Sequence, residues 1–175
     1  MKRCVWLWSL CGFAFVSLCG TLLHFLYEWT GESAWAAPFS GVNESTFEHM
    51  KLLFWPCFIL AIVESFFFRD YKSFWCVKLF GTLIGLIAIP LIFYTYNGVI
   101  GKSPDFVNIA IFFISAAVAF IYEWRTLTND EMKGCNQNRA LLSFIIIAAL
   151  FAVFTFNPPH LALFCDPITG KYGVQ

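Results

Sequence analysis

Three histidines and a few carboxylates are the residues of this chain whose types could do chemistry. His24 and Glu28 stand four apart, which puts them on one face of a helix. The stretch Asn43-Glu44-Ser45-Thr46-Phe47-Glu48-His49-Met50-Lys51 gathers two carboxylates, an imidazole and a lysine. His160 follows Pro158-Pro159, and Asp166 opens a turn sequence, Asp-Pro-Ile-Thr-Gly. Two or three imidazoles with a carboxylate are the usual ligand kit for zinc or a similar divalent ion. His24, Glu28, His49 and His160 are therefore the metal-ligand candidates. Glu44 or Glu48 is the candidate catalytic base that would activate a bound water. The same groups could act as general acid and base without a metal.

A structural reading accounts for part of this stretch. Ser45-x-x-Glu48 is a capping box, with the serine capping a helix and the glutamate reaching back to it. Val42 could staple against an apolar residue near Leu52. Glu44 and Glu48 also suit the positive end of a helix dipole. Capping leaves His49 unexplained, and it leaves His24 unexplained too. An ionisable residue at membrane depth is a functional candidate by default.

The elements that must position these groups are transmembrane helices. The chain is 59% hydrophobic and 13% charged, about half the charge of a soluble domain. Its 11 basic and 11 acidic residues cancel, so no net charge points to nucleic acid. Spanning a bilayer takes about 20 apolar residues as helix. Five stretches qualify: 5–27, 52–68, 74–94, 106–122 and 140–156. The expected fold is an all-α integral membrane bundle, one domain over 1–175, with the tail 157–175 folded on it. Lys2 and Arg3 before the first run, and Ala34-Trp35-Ala36 after it, resemble a signal peptide. The run is about 23 residues, against about 7–15 for a signal sequence, so it reads as an uncleaved helix. Lys2, Arg3, Arg69, Lys72, Arg125, Lys133 and Arg139 flank one set of helix ends, and Lys51, Lys102 and Lys171 the other. That asymmetry predicts the N-terminus in the cytoplasm and the C-terminus outside. All three histidines then fall on the outer side.

Inside the membrane, Gly81-x-x-x-Gly85 predicts close helix packing within the bundle. Pro90 is expected to kink the third span. Glu64 and Lys78 should pair or snorkel. Phe25-Leu-Tyr-Glu-Trp29 recurs as Phe120-Ile-Tyr-Glu-Trp124, a hint of an inverted repeat that is equally explained by the interfacial preferences of Tyr and Trp. The seven cysteines include no CxxC and lie mostly in apolar runs, so they read as small buried hydrophobes and not as a disulfide framework.

The motifs His24-x-x-x-Glu28-Trp29, Val42-Asn43-Glu44-Ser45-x-x-Glu48-His49-x-Lys51, Pro158-Pro159-His160 and Asp166-Pro167-x-Thr169-Gly170-x-Tyr172-Gly173 resemble a family of small multipass bacterial membrane proteins. That family is catalogued as a domain of unknown function, and the resemblance covers nearly the whole chain. It implies a bacterial inner-membrane location and carries no activity.

Three functional classes follow. The first is a metal-dependent or metal-free enzyme with an extracytoplasmic His/Glu site, acting on a lipid or envelope substrate. The second is a small transporter, with Glu28, Glu64 and Glu123 marking a path. The third is a structural, partner-binding subunit. No phosphate-binding loop, dinucleotide fingerprint or serine-hydrolase elbow occurs.

Overall fold

A computed structural model describes residues 2–129, 132 and 134–174, with side chains from residue 5 onward. Among these residues the regular structure is helical: α1 (Lys2–Trp29), α2 (Thr46–Ser65), α3 (Phe74–Val99), α4 (Asp105–Asn129) and α5 (Gln137–Phe156), followed by a 3₁₀ turn at Ala162–Phe164. All five helices are long and apolar enough to cross a membrane. Large apolar side chains face outward along them, among them Leu18, Ile87, Leu91, Ile109 and Leu142, as bilayer contact requires. Lys133 of the charge count lies outside the described residues, as do the side chains of Lys2 and Arg3.

The packing order explains which helix is most polar inside. α2 touches all four other helices and is the most enclosed of the five. It starts at Thr46, earlier than position 52, because Glu48 and Lys51 neutralise each other inside the bundle instead of lying in a loop. Lys51 Nζ sits 2.6 Å from Glu48 Oε2 and also donates to Ala37 O at 2.8 Å and Thr155 Oγ1 at 2.9 Å. Its three protons thus reach three acceptors, which makes full burial of the ammonium tolerable. α3 continues as helix through Pro90 and α2 through Pro56.

The glycine pair of α3 works within the chain. A Cβ at Gly81 would lie 2.5 Å from Glu123 Cγ, and one at Gly85 would lie 3.2 Å from Ser115 O. The two glycines therefore let α3 and α4 approach closely, the most extensive helix pairing in the bundle.

Two segments outside the helices are fixed to the end of the bundle that carries His24. The 30–45 loop buries Ala36, Ala37 and Ser40. Ser40 Oγ accepts from Tyr27 N at 2.9 Å and donates to Leu23 O, and Trp55 Nε1 donates to Pro38 O at 2.8 Å. Val42 packs with Tyr27, Ala36 and Ala37, so it staples the loop to α1 and not to the Leu52 region. The tail inserts Phe164 against Phe47, with centroids 4.5 Å apart. Asp166 closes its turn by accepting from Ile168 N and Thr169 Oγ1.

The cysteine reading needs correction at one pair. Cys76, in the first turn of α3, forms a disulfide with Cys135 in the α4–α5 connection, with Cα atoms 6.4 Å apart. Gln137 ties the start of α5 to the start of α3, accepting from Trp75 N at 2.7 Å and donating to Lys72 O. Sequence spacing gave no sign of this, because the partners are 59 residues apart and meet only once α3, α4 and α5 pack. In protein purified without reductant, two of the seven cysteines should resist alkylation until reduced, and peptide mapping should place them at 76 and 135. Alkylation of all seven without reductant would show open thiols.

Candidate functional site

α1 and α2 bring their polar ends together. His24 lies one turn and a half before the end of α1, and His49 lies in the first turn of α2. Their rings are 5.7 Å apart, tilted by 35°. Between them stands Glu44, with Oε1 3.7 Å from His24 Nε2 and Oε2 3.6 Å from His49 Nε2. Glu44 precedes the N-cap of α2, so the start of that helix fixes its place.

That start is built by short-range hydrogen bonds. Ser45 Oγ accepts from Glu48 N at 3.4 Å, as an N-cap serine should. The return half of the capping box is divided differently from the sequence expectation. Asn43 Oδ1 takes the Ser45 N–H at 2.9 Å, and Glu48 Oε2 reaches further back to Val42 N at 3.0 Å. Asn43 Nδ2 donates to Gly173 O at 3.1 Å, tying the helix start to the tail.

The same geometry sets the tautomer of His49. Its Nδ1 lies 3.0 Å from Ser45 O, a backbone oxygen that can only accept. Nδ1 therefore carries a proton, and in the neutral ring Nε2 presents its lone pair toward Glu44. Separations of 3.6–3.7 Å are too long for direct hydrogen bonds. They leave the three heads loosely gathered, as catalytic groups often are before substrate arrives.

The cluster lies at a cavity of about 450 Å³ between α1 and α4 that is open along the outer face of the bundle. Phe25, Leu52, Ile109, Phe112 and Phe113 give it apolar walls, and Ile168 of the tail closes one side. A second space of about 120 Å³ adjoins the first, sharing Glu44, His49, Asp105 and Asn108. Its polar wall is the α3–α4 turn, where Ser103 N donates to Asn97 Oδ1 at 2.8 Å and Ser103 Oγ donates to Asn108 Oδ1 at 2.7 Å. Sequence reasoning missed Asn97, Ser103 and Asn108. Two amides flanking a Ser-Pro turn at the ends of apolar spans were the available signal.

The remaining candidates are placed elsewhere. Glu28 is exposed and lines neither cavity. His160 is exposed and stacks on Tyr172, centroids 4.6 Å apart. Glu48 is enclosed with Lys51 and faces away from both cavities' lining. Among the described residues, no group of three or more His, Cys, Asp and Glu is arranged to hold a metal ion. Of the three glutamates of the transport reading, Glu64 and Glu123 meet on Lys78 at the opposite end of the bundle from Glu28. The repeated Phe-x-Tyr-Glu-Trp segments accordingly differ in setting: Glu28 is exposed and Glu123 is buried.

The chain belongs to a family described as Family of unknown function (DUF6512), whose model matches residues 2–174. No curated protein and no solved structure matches the chain.

Proposed function

We propose that the protein binds an amphiphile in the α1–α4 cavity and transfers protons to and from its headgroup through His24, Glu44 and His49. The observation that carries this reading is the convergence of two imidazoles on one carboxylate at a cavity whose other walls are mainly apolar, with Asp105 and Asn108 on the α4 side. A chain lodged against Phe25, Ile109 and Phe113 would leave its headgroup beside the three polar heads. His49 Nε2 is the base for a headgroup hydroxyl or a water. The deprotonated oxygen attacks a headgroup ester, Glu44 stabilises the imidazolium formed at His49, and His24, starting protonated, gives its proton to the ester oxygen as the bond to it breaks. The substrate class is a lipid or a lipid-linked envelope compound.

The orientation proposed is N-terminus in the cytoplasm of a bacterial inner membrane, with the His24 end outside. Lys51 is consumed by an internal ion pair, which leaves the His24 end poorer in exposed positive charge than the sequence count gives. Arg69, Lys72, Arg125 and Arg139 are exposed at the other end.

The test is native mass spectrometry of protein extracted from its own membrane in mild detergent. One amphiphile per chain is expected, with occupancy lowered about tenfold or more in Glu44→Gln and His49→Ala, the loss of one charge-assisted contact. Equal occupancy in wild type and both variants would end this reading. Elemental analysis of the same samples bears on the alternative chemistry: a stoichiometric divalent metal lost in His24→Ala and His49→Ala would replace proton transfer with metal catalysis.

A further inference from the structure

At the end of the bundle opposite the histidines, three charged side chains from three helices meet in the interior. Lys78 Nζ of α3 lies 2.7 Å from Glu64 Oε2 of α2 and 2.5 Å from Glu123 Oε2 of α4. All three residues are buried, at 2–4% exposure. Sequence reasoning anticipated the first pair and not the third member.

Two carboxyls here share one ammonium. With all three ionised, the group would hold one uncompensated negative charge among apolar side chains, a costly arrangement. Among the described residues, the neighbours bring no second cation to it. Phe120 presents its ring face to Lys78 Nζ at 5.1 Å. α1 meets Phe120 through Gly12 and Phe13. α5 meets this region through Phe144, packed on Phe54, Phe58 and Trp75. The titratable neighbour on α2 is the buried Cys57 thiol, which carries no positive charge. Arg69, Lys72 and Arg125, the nearby basic residues in sequence, are exposed.

A second observation is independent of the charge count. Glu123 Oε1 is buried without a hydrogen-bond partner. It lies where a Cβ at Gly81 would come within 2.8 Å, so the α3 backbone is cut away to admit this oxygen. A buried carboxyl oxygen that no donor meets is not held in its charged form, and it is free to carry a proton. Calcium and magnesium take about six or more oxygen ligands, far beyond one free carboxyl oxygen.

We propose that Glu64, Lys78 and Glu123 form a proton-binding site, in which the two carboxyls hold one proton between them while Lys78 stays charged. Its ligand is the proton itself, and binding makes the cluster neutral. The site shares no residue with the His24–Glu44–His49 cluster and does not depend on that cluster's chemistry. Buried ionisable groups of this kind in membrane helices are the usual components of proton relays.

The test is infrared spectroscopy of the full-length protein in lipid nanodiscs at neutral pH, reading the C=O stretch of protonated carboxylic acid. One such carboxyl per chain is expected. It should vanish in Glu64→Gln and in Glu123→Gln, because either change leaves a one-to-one ion pair. It should double in Lys78→Met, where neither carboxyl has a cation. It should persist in Glu48→Gln and in Asp166→Asn, which remove the other buried carboxyls among the described residues, and these variants assign the band even where the first two do not fold. Absence of the band from the unsubstituted protein overturns the proposal without any variant. So does a band unchanged in folded Glu64→Gln and Glu123→Gln, or one lost in Glu48→Gln or Asp166→Asn.

Discussion

Replacing Lys51 by methionine lowers the stability of the folded protein by about 3–5 kcal/mol, the usual consequence of breaking a buried ion pair from one side. The reason is what remains. Glu48 keeps the Val42 N–H at 3.0 Å and loses its cation, so a carboxylate is stranded in the interior. Ala37 O and Thr155 Oγ1 lose their shared donor, and with it goes the tie between the 30–45 loop, α2 and α5. For a chain of this size the loss corresponds to a fall in melting temperature of about 6–20 °C, measured in detergent micelles. Replacing both partners, Glu48→Met with Lys51→Met, should recover most of that loss, because no unpaired charge is left behind. A Lys51→Met protein that melts with the wild type would show that the pair is dispensable and that the end carrying His24 is held by its apolar contacts alone.

Replacing His49 by alanine should reduce the rate of the proposed headgroup conversion by about 10²–10⁴-fold, the usual contribution of a positioned general base. In the reaction proposed above His49, and not His24, is assigned the role of base, because its Nδ1–H is engaged by Ser45 O at 3.0 Å. That bond orients the ring and fixes the nitrogen that accepts the proton. His24 has its edge near Phe25, with centroids 5.0 Å apart, and faces the same carboxylate. The assay incubates the protein in vesicles made from its own membrane lipids and follows lipid species by mass spectrometry. A species consumed by the wild type and spared by folded His49→Ala is the expected result. Equal consumption by both proteins would remove His49 from the chemistry.

The sequence exposed the membrane architecture and part of the site for one reason: both depend on local signals. Five apolar runs are contiguous in the chain, so the spans were legible, with differences of a few residues at their ends. His24 and His49 were legible as partners because one stands near the end of α1 and the other begins α2, and consecutive antiparallel spans bring those ends to the same side. Features made by distant residues were hidden. Lys51 looked like a flanking charge because its acceptors lie at Ala37 and at Thr155, 104 residues away. Glu123 looked like an interfacial residue, since nothing local announces that Lys78 and Gly81 make room for it. Cys135 cannot be paired from the sequence, because only the packing of the start of α5 beside the start of α3 brings it to Cys76. By sequence Glu44 and Glu48 are equivalent candidates for the base. The structure separates them, because Glu48 is drawn inward by Lys51 while Glu44 is left between the rings.

The central claim, that Glu44 joins His24 and His49 into one site, is tested most directly by NMR of the protein with ¹⁵N-labelled histidine, comparing wild type with Glu44→Gln. The Nε2 resonances of both His24 and His49 should move together when the shared carboxylate is neutralised. His160, stacked on Tyr172 away from the cavities, should not move. Movement of only one of the two, or of neither, would contradict the account.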